Sequence, residues 1–183
     1  MSTVPRVPSA IPQQPPAFHT VLAHAPEIQR RFADLYAKFW MDPAISQRDK
    51  ELARIRNARV TACGFCRQVR FSLAREEGLD EVTLALVDDH YLEAPLSPRE
   101  KLILQYTDAI IGDPARATPA LGAALRAELG EAGLAELTLG VGLFLGLAKV
   151  LITLGLEPER MPVTVLPTPG STPARTQHAA TDA

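Results

Sequence analysis

Two cysteines in 183 residues are too few for a disulfide framework. Aromatic residues make up only 5%, with a single tryptophan. A core so poor in rings must be built from Leu, Ala, Ile and Val, and Leu and Ala favour helix over strand. Alternating strand patterns are missing too. Val163-Thr164-Val165-Leu166 is short and boxed in by prolines, so it reads as extended tail. Charge of one sign is scarce: 19 Lys and Arg against 21 Asp and Glu leave a net charge of -2. That balance gives no electrostatic case for nucleic acid or an anionic membrane. No clean membrane span stands out. The best candidate, Leu134 to Leu154, carries Glu136 and Lys149, and the stretch between them falls short of the roughly 20 apolar residues a bilayer needs. A basic segment followed by an apolar run is absent at the N-terminus, so no secretory signal and a cytoplasmic location are expected.

What is present is an ordinary globular composition, 46% hydrophobic and 22% charged, of a length that predicts one domain. Sixteen prolines would trouble a helical chain if spread evenly. They cluster instead, at Pro5, Pro8, Pro12, Pro15 and Pro16 and again between Pro158 and Pro173. Residues 1–20 and 163–183 are therefore expected to be disordered, Pro-rich tails around a helical domain over 21–162.

Helical punctuation fills that middle, and the expected fold class is all-α. Pro26 suits a first turn, and Ile28, Phe32, Leu35, Phe39 and Trp40 follow at helical spacing. A second helix starts near Ser46 and runs to about Ala62. A third starts in the Cys63–Cys66 turn and stops at Gly78, and Asp80 opens a short fourth through Val87. Ser97-Pro98-Arg99-Glu100 is the cleanest start signal, followed by Leu102, Ile103, Tyr106, Ala109 and Ile110 as an inner stripe. Pro119 to Glu128, stopped by Gly130, precedes a long apolar helix to Gly155. Gly140, Gly142 and Gly146 in that helix each cost roughly 1 kcal/mol relative to Ala. Close approach of another helix, within the chain or from a second subunit, would offset that cost.

Chemistry concentrates in Ala62-Cys63-Gly64-Phe65-Cys66-Arg67. A structural zinc site would need two more ligands, and His19, His24, His90 and His178 show no ligand spacing. A redox dithiol remains. Cys66 in a first helical turn, with Arg54, Arg56, Arg59, Arg67, Arg70 and Arg75 nearby in sequence, is placed to form a thiolate. Such a thiolate attacks peroxides and disulfides, and a second Cys three residues away resolves the sulfenic acid. The bland alternative is two cysteines packing as small hydrophobes.

Glu51, then Cys63-x-x-Cys66 twelve residues on, then Ala74 and Gly78, resembles the carboxymuconolactone decarboxylase superfamily, closest to its AhpD-like alkylhydroperoxidase branch. The resemblance covers roughly Ile28 to Leu156. It implies an all-helical, AhpD-like bundle that assembles into trimers or hexamers, with antioxidant, peroxiredoxin-type activity and no metal or organic cofactor. By resemblance, Cys66 is the peroxide-attacking thiol, Cys63 the resolving thiol and Glu51 a proton-relay residue. A hydroperoxide is then the substrate, and a dithiol or protein the reductant.

The chain departs from the family at Arg70, which stands where the branch has a relay His. A guanidinium keeps its proton near neutrality and cannot serve as a general base. Antiparallel helices around the CxxC turn would bring Arg70 level with Glu51 as a fixed ion pair, with Arg70 still favouring the Cys66 thiolate. His90, after Asp88 and Asp89, is the candidate substitute relay, although a surface His is more often merely solvated. A catalytically weak redox-responsive or scaffold protein is the alternative. A helix–turn–helix reading of Arg67, Gln68 and Arg70 is disfavoured by the net charge. A decarboxylase-type lyase is disfavoured because those members do not use a CxxC.

Overall fold

The computed structural model describes residues 4–158 and 160–171. Its elements are α1 (Phe18–Leu22), α2 (Pro26–Met41), α3 (Gln47–Val60), α4 (Gly64–Gln68), β1 (Val69–Phe71), α5 (Ser72–Glu76), α6 (Glu81–Ala85), α7 (Pro98–Ile111), α8 (Pro119–Thr153) and β2 (Thr164–Leu166). The fold is all-α, with one small parallel pair of strands.

Capping chemistry places most boundaries. Ser46 accepts the Asp49 N–H at 3.0 Å and starts α3. Ser97 and Glu100 exchange bonds at 3.2 and 2.8 Å in a reciprocal box that starts α7. Gly130, at φ 72°, bends α8, and such a left-handed angle suits glycine. The bend therefore falls where the sequence puts a helix end. By length and composition α8 passes for a membrane span. Here Leu137, Val141, Phe144, Ala148 and Leu151 of its inner face are buried in the core.

Helix α3 lies at the centre, packed on α7 and α8. One core gathers Phe39, Trp40, Ala53, Ile103, Leu137, Val141 and Phe144. A second lies over Leu52, Ile55, Leu84, Val87 and Leu104. A third packs Ala58, Ala148 and Leu151 around the two cysteines. The α2 stripe is narrower than its spacing predicts: Phe39 and Trp40 are buried, whereas Ile28 and Leu35 face outward. Gly140 answers one of the glycine questions. A Cβ there would overlap the Phe39 ring, so this glycine admits an aromatic side chain within the chain. Around Gly142 and Gly146 the space is open.

Two expectations need correction. The helix predicted from Cys63 to Gly78 is broken, because Val69, Arg70 and Phe71 are extended and pair with Thr164, Val165 and Leu166 in parallel register. So the Val163–Leu166 segment, expected to be tail, supplies a strand. Its neighbours are anchored as well: Thr168 is buried, its hydroxyl accepts the Leu73 N–H at 3.0 Å, and its own N–H donates to Ser72 Oγ. At the other end, Arg6 N donates to the Leu154 carbonyl and Ala10 N to that of Thr20, with Thr20 and Val21 buried. These parts of the expected tails are held by hydrogen bonds that proline content alone does not reveal. The ends of both tails, 1–3 and 172–183, lie outside the described residues, and His178 with them.

Candidate active site

A left-handed residue links α3 to the dithiol. Ala62 has φ 56°, a conformation costly for a residue with a Cβ. It turns the chain so that the Cys63 N–H donates to Ala58 O at 3.0 Å. Cys63 then caps α4, its Sγ accepting the Cys66 N–H at 3.2 Å. The two cysteines are joined as a disulfide, with Cα atoms 5.3 Å apart. Cys63 is fully buried, while Cys66 lines a cavity of about 470 Å³.

Aromatic rings are prominent in that cavity. Phe32, Tyr36, Phe65, Phe71 and Phe144 contribute walls, and the C-terminal segment adds Leu166, Pro169 and Gly170. Phe18 and His19 come from α1, inside the region expected to be tail. Burial pushes the Tyr36 hydroxyl up to about 12, so it carries its proton throughout the neutral range. Two polar residues of α3, Arg54 and Asn57, complete the wall near Cys66.

Glu51 is buried and does not meet Arg70. Both of its oxygens take Arg54 donors at 2.7 Å, and Oε1 also accepts the Phe71 N–H at 3.2 Å. Arg54 uses its remaining reach on Cys66 O at 2.8 Å and Val69 O at 2.6 Å. Burial opposes the charge on Arg54, but Glu51 outweighs it and leaves the guanidinium above its ordinary value. An i, i+3 pair on one helix face forms this clamp. The spacing was legible in the sequence, but Glu51 was read against Arg70 instead.

Arg70 is buried elsewhere. It pairs with Glu81 at 2.9 Å and donates to Arg67 O and Val69 O, and it does not line the cavity. The extended backbone at 69–71 brings the Phe71 N–H to Glu51, while the Arg70 side chain goes to Glu81 instead. The other arginines near the CxxC in sequence are partly neutralised too: Arg56 binds Asp108 at 2.6 Å and Asp89 at 2.9 Å, and Arg75 meets Glu81 at 3.4 Å. The expected local positive balance is therefore offset by acids from α6, α7 and the preceding loop. Beyond α8, the Glu157 carboxylate accepts the Gly64 N–H and adds a negative charge beside the dithiol. Helix α4 is five residues long, so little dipole acts on Cys66.

His90 is exposed, its N–H donating to Asp88 Oδ1 at 2.7 Å, and it does not line the cavity. Among the described residues, the exposed His19 is the imidazole that lines the Cys66 cavity. Only its distance from the CxxC in sequence hid it.

Residues 26–109 match the family model described as the carboxymuconolactone decarboxylase family. No curated protein matches the chain. Among solved structures, the fold is similar to that of an Agrobacterium tumefaciens protein of unknown function, suggested by its description to be the antioxidant defence protein AhpD. The identity is 18%, the TM-score 0.61, and the match covers 78% of this chain and 96% of that one. The matched segment contains Glu51 and the CxxC turn, so residues 26–109 are similar to the carboxymuconolactone decarboxylase family and the chain shares the fold of that AhpD-like structure.

Proposed function

We propose that the protein is a thiol-dependent peroxidase acting on organic hydroperoxides. One observation carries the reading: of two bonded cysteines, only Cys66 opens onto an apolar cavity, while Cys63 is sealed beneath it. In the reduced protein the Cys66 thiolate attacks the terminal oxygen of R–O–O–H. The S–O bond forms, the O–O bond breaks, and the alkoxide leaves and takes a proton as R–O–H. Cys63 then displaces water from the Cys66 sulfenic acid and closes the disulfide. An external dithiol reduces the pair, itself becoming a disulfide.

Arg54, held by Glu51, is the cation that fixes the Cys66 carbonyl, so Glu51 acts by positioning Arg54. A second copy of the chain is the proposed cover for the outer face of α8, where Leu139 and Val150 are exposed beside Gly142 and Gly146. The cytoplasm, where dithiol reductants keep such pairs cycling, is the proposed compartment.

A redox-responsive protein without turnover is the second reading. It is favoured by Arg70 at the relay position and by a Glu51 already committed to two donors of Arg54. Consumption of cumene hydroperoxide in the presence of dithiothreitol separates the two. The peroxidase reading predicts catalytic consumption that Cys66→Ser abolishes, with Cys63→Ser trapping the oxidised Cys66. Stoichiometric oxidation that stops after one equivalent would support the second reading instead.

A further inference from the structure

The side-chain oxygen Oδ1 of Asn57 is buried with no hydrogen-bond partner among the described residues; the residue is 1% exposed and lines the same cavity as Cys66. Its backbone is tied down, since Asn57 O accepts both Thr61 N at 2.9 Å and Thr61 Oγ1 at 2.7 Å. Gln47 Oε1 is also buried without a partner, but Gln47 does not line this cavity. A native fold rarely keeps a buried amide oxygen unpaired, and a group reserved for a ligand is one physical reason to do so. Arg54, the other α3 side chain in this wall, has its charge paired with Glu51 and four of its five N–H donors on Glu51 and the carbonyls of Cys66 and Val69.

We propose that Asn57 anchors the ligand of this cavity, and that the ligand is an uncharged, ring-sized organic molecule bearing one hydroxyl or hydroperoxyl group. A volume of about 470 Å³ walled by Phe32, Tyr36, Phe65, Phe71 and Phe144 accepts an aromatic or branched hydrocarbon body. A carboxylate would enter without a free counter-charge, at a large desolvation cost. A hydroxyl needs only the acceptor that Asn57 Oδ1 supplies. This deepens the peroxidase reading. The terminal O–H of a hydroperoxide donating to Asn57 presents that same oxygen to Cys66, and the alcohol left after O–O cleavage keeps an O–H for the same acceptor.

The test uses the oxidised, disulfide-bonded protein, which cannot turn over, and three probes of similar body: 2-phenyl-2-propanol, cumene and phenylacetate. Titrations followed by NMR should show the alcohol binding about fivefold to tenfold more tightly than cumene. Asn57→Ala should erase that advantage while cumene binding holds. In the wild-type chain, the Asn57 side-chain amide resonances should move with the alcohol and stay still with cumene. This arm keeps the test valid if the variant fails to fold. Equal binding of alcohol and cumene, still amide resonances, or tighter binding of phenylacetate would each overturn the proposal. The peroxidase reading fails separately, when reduced protein leaves cumene hydroperoxide intact while the alcohol still binds through Asn57.

Discussion

Ten of the fourteen residues of α3 are buried, and five of those are charged: Asp49, Lys50, Glu51, Arg54 and Arg56. The second half of α8 is nearly all apolar, yet Leu139 and Val150 stand at the surface with Gly142 and Gly146 between them. Charge can be buried in α3 because each group finds a partner. Asp49 meets Arg99 at 2.7 Å and Arg56 meets Asp108 at 2.6 Å. Lys50 pairs with Glu136 at 2.6 Å and also donates to the carbonyls of Phe39, Trp40 and Asp42, closing the end of α2. Burial pushes the Glu136 carboxyl up, only partly countered by Lys50. No such compensation exists for the outer face of α8. The difference separates a helix completed within the chain from one whose outer face stays apolar and open, the face proposed above for a second copy.

The sharpest way to break this contrast is to remove one partner from α3. Arg54→Ala would strand Glu51, 1% exposed, with the Phe71 N–H as its remaining donor. A loss of about 3–5 kcal/mol in urea unfolding is expected. A loss below about 1 kcal/mol would mean the pair contributes little beyond solvation.

The two faces of α8 offer the next comparison. Leu137→Ala, at a position 1% exposed, should cost about 2–5 kcal/mol through its cavity. Leu139→Ala, 52% exposed, should leave the protomer within about 0.5 kcal/mol. Leu139→Arg should shift the sedimenting species toward the 19.8 kDa protomer. A wild-type chain that already sediments at that mass would remove the second copy.

Most of the helical frame was legible because its signals are local. Ser46, Asp80, Ser97 and Gly130 act on their own turn, and the helices start or bend there. The CxxC with Glu51 was legible for the same reason. The placement of Arg70, the strand at Thr164–Leu166 and the cavity wall from Phe18 to Gly170 depend on pairings across long stretches of chain, and no periodicity announces those. Helix α3 was placed by its Ser46 cap, but its depth in the fold was not legible, because the acids that let its charges be buried come from α7, α8 and a loop.

Ending the chain at Pro162 tests the long-range part. It removes β2 and the Thr168 anchors, and a loss of about 1–3 kcal/mol is expected together with a more open Cys66 cavity. Unchanged melting and unchanged probe binding would return this segment to the status of a dispensable tail.

The smallest effect concerns acid. Burial would raise the Glu100 carboxyl, but Ser97 and Arg48 outweigh it and hold it below its ordinary value. A depressed carboxyl contributes stability above its unfolded pKa of about 4.3 and loses it as pH falls through the folded value. Glu100→Gln should therefore flatten the decline of stability below about pH 4.5. An unchanged acid limb would show that other carboxylates govern it.

The central claim is that Cys66 meets a hydroperoxide in this cavity and Cys63 closes the bond. Intact mass and peptide mapping of the reduced protein after one equivalent of cumene hydroperoxide test it directly. The account predicts loss of two hydrogens and a Cys63–Cys66 disulfide within the mixing time, with Cys66→Ser unreactive. Two free thiols beside unconsumed hydroperoxide would contradict it.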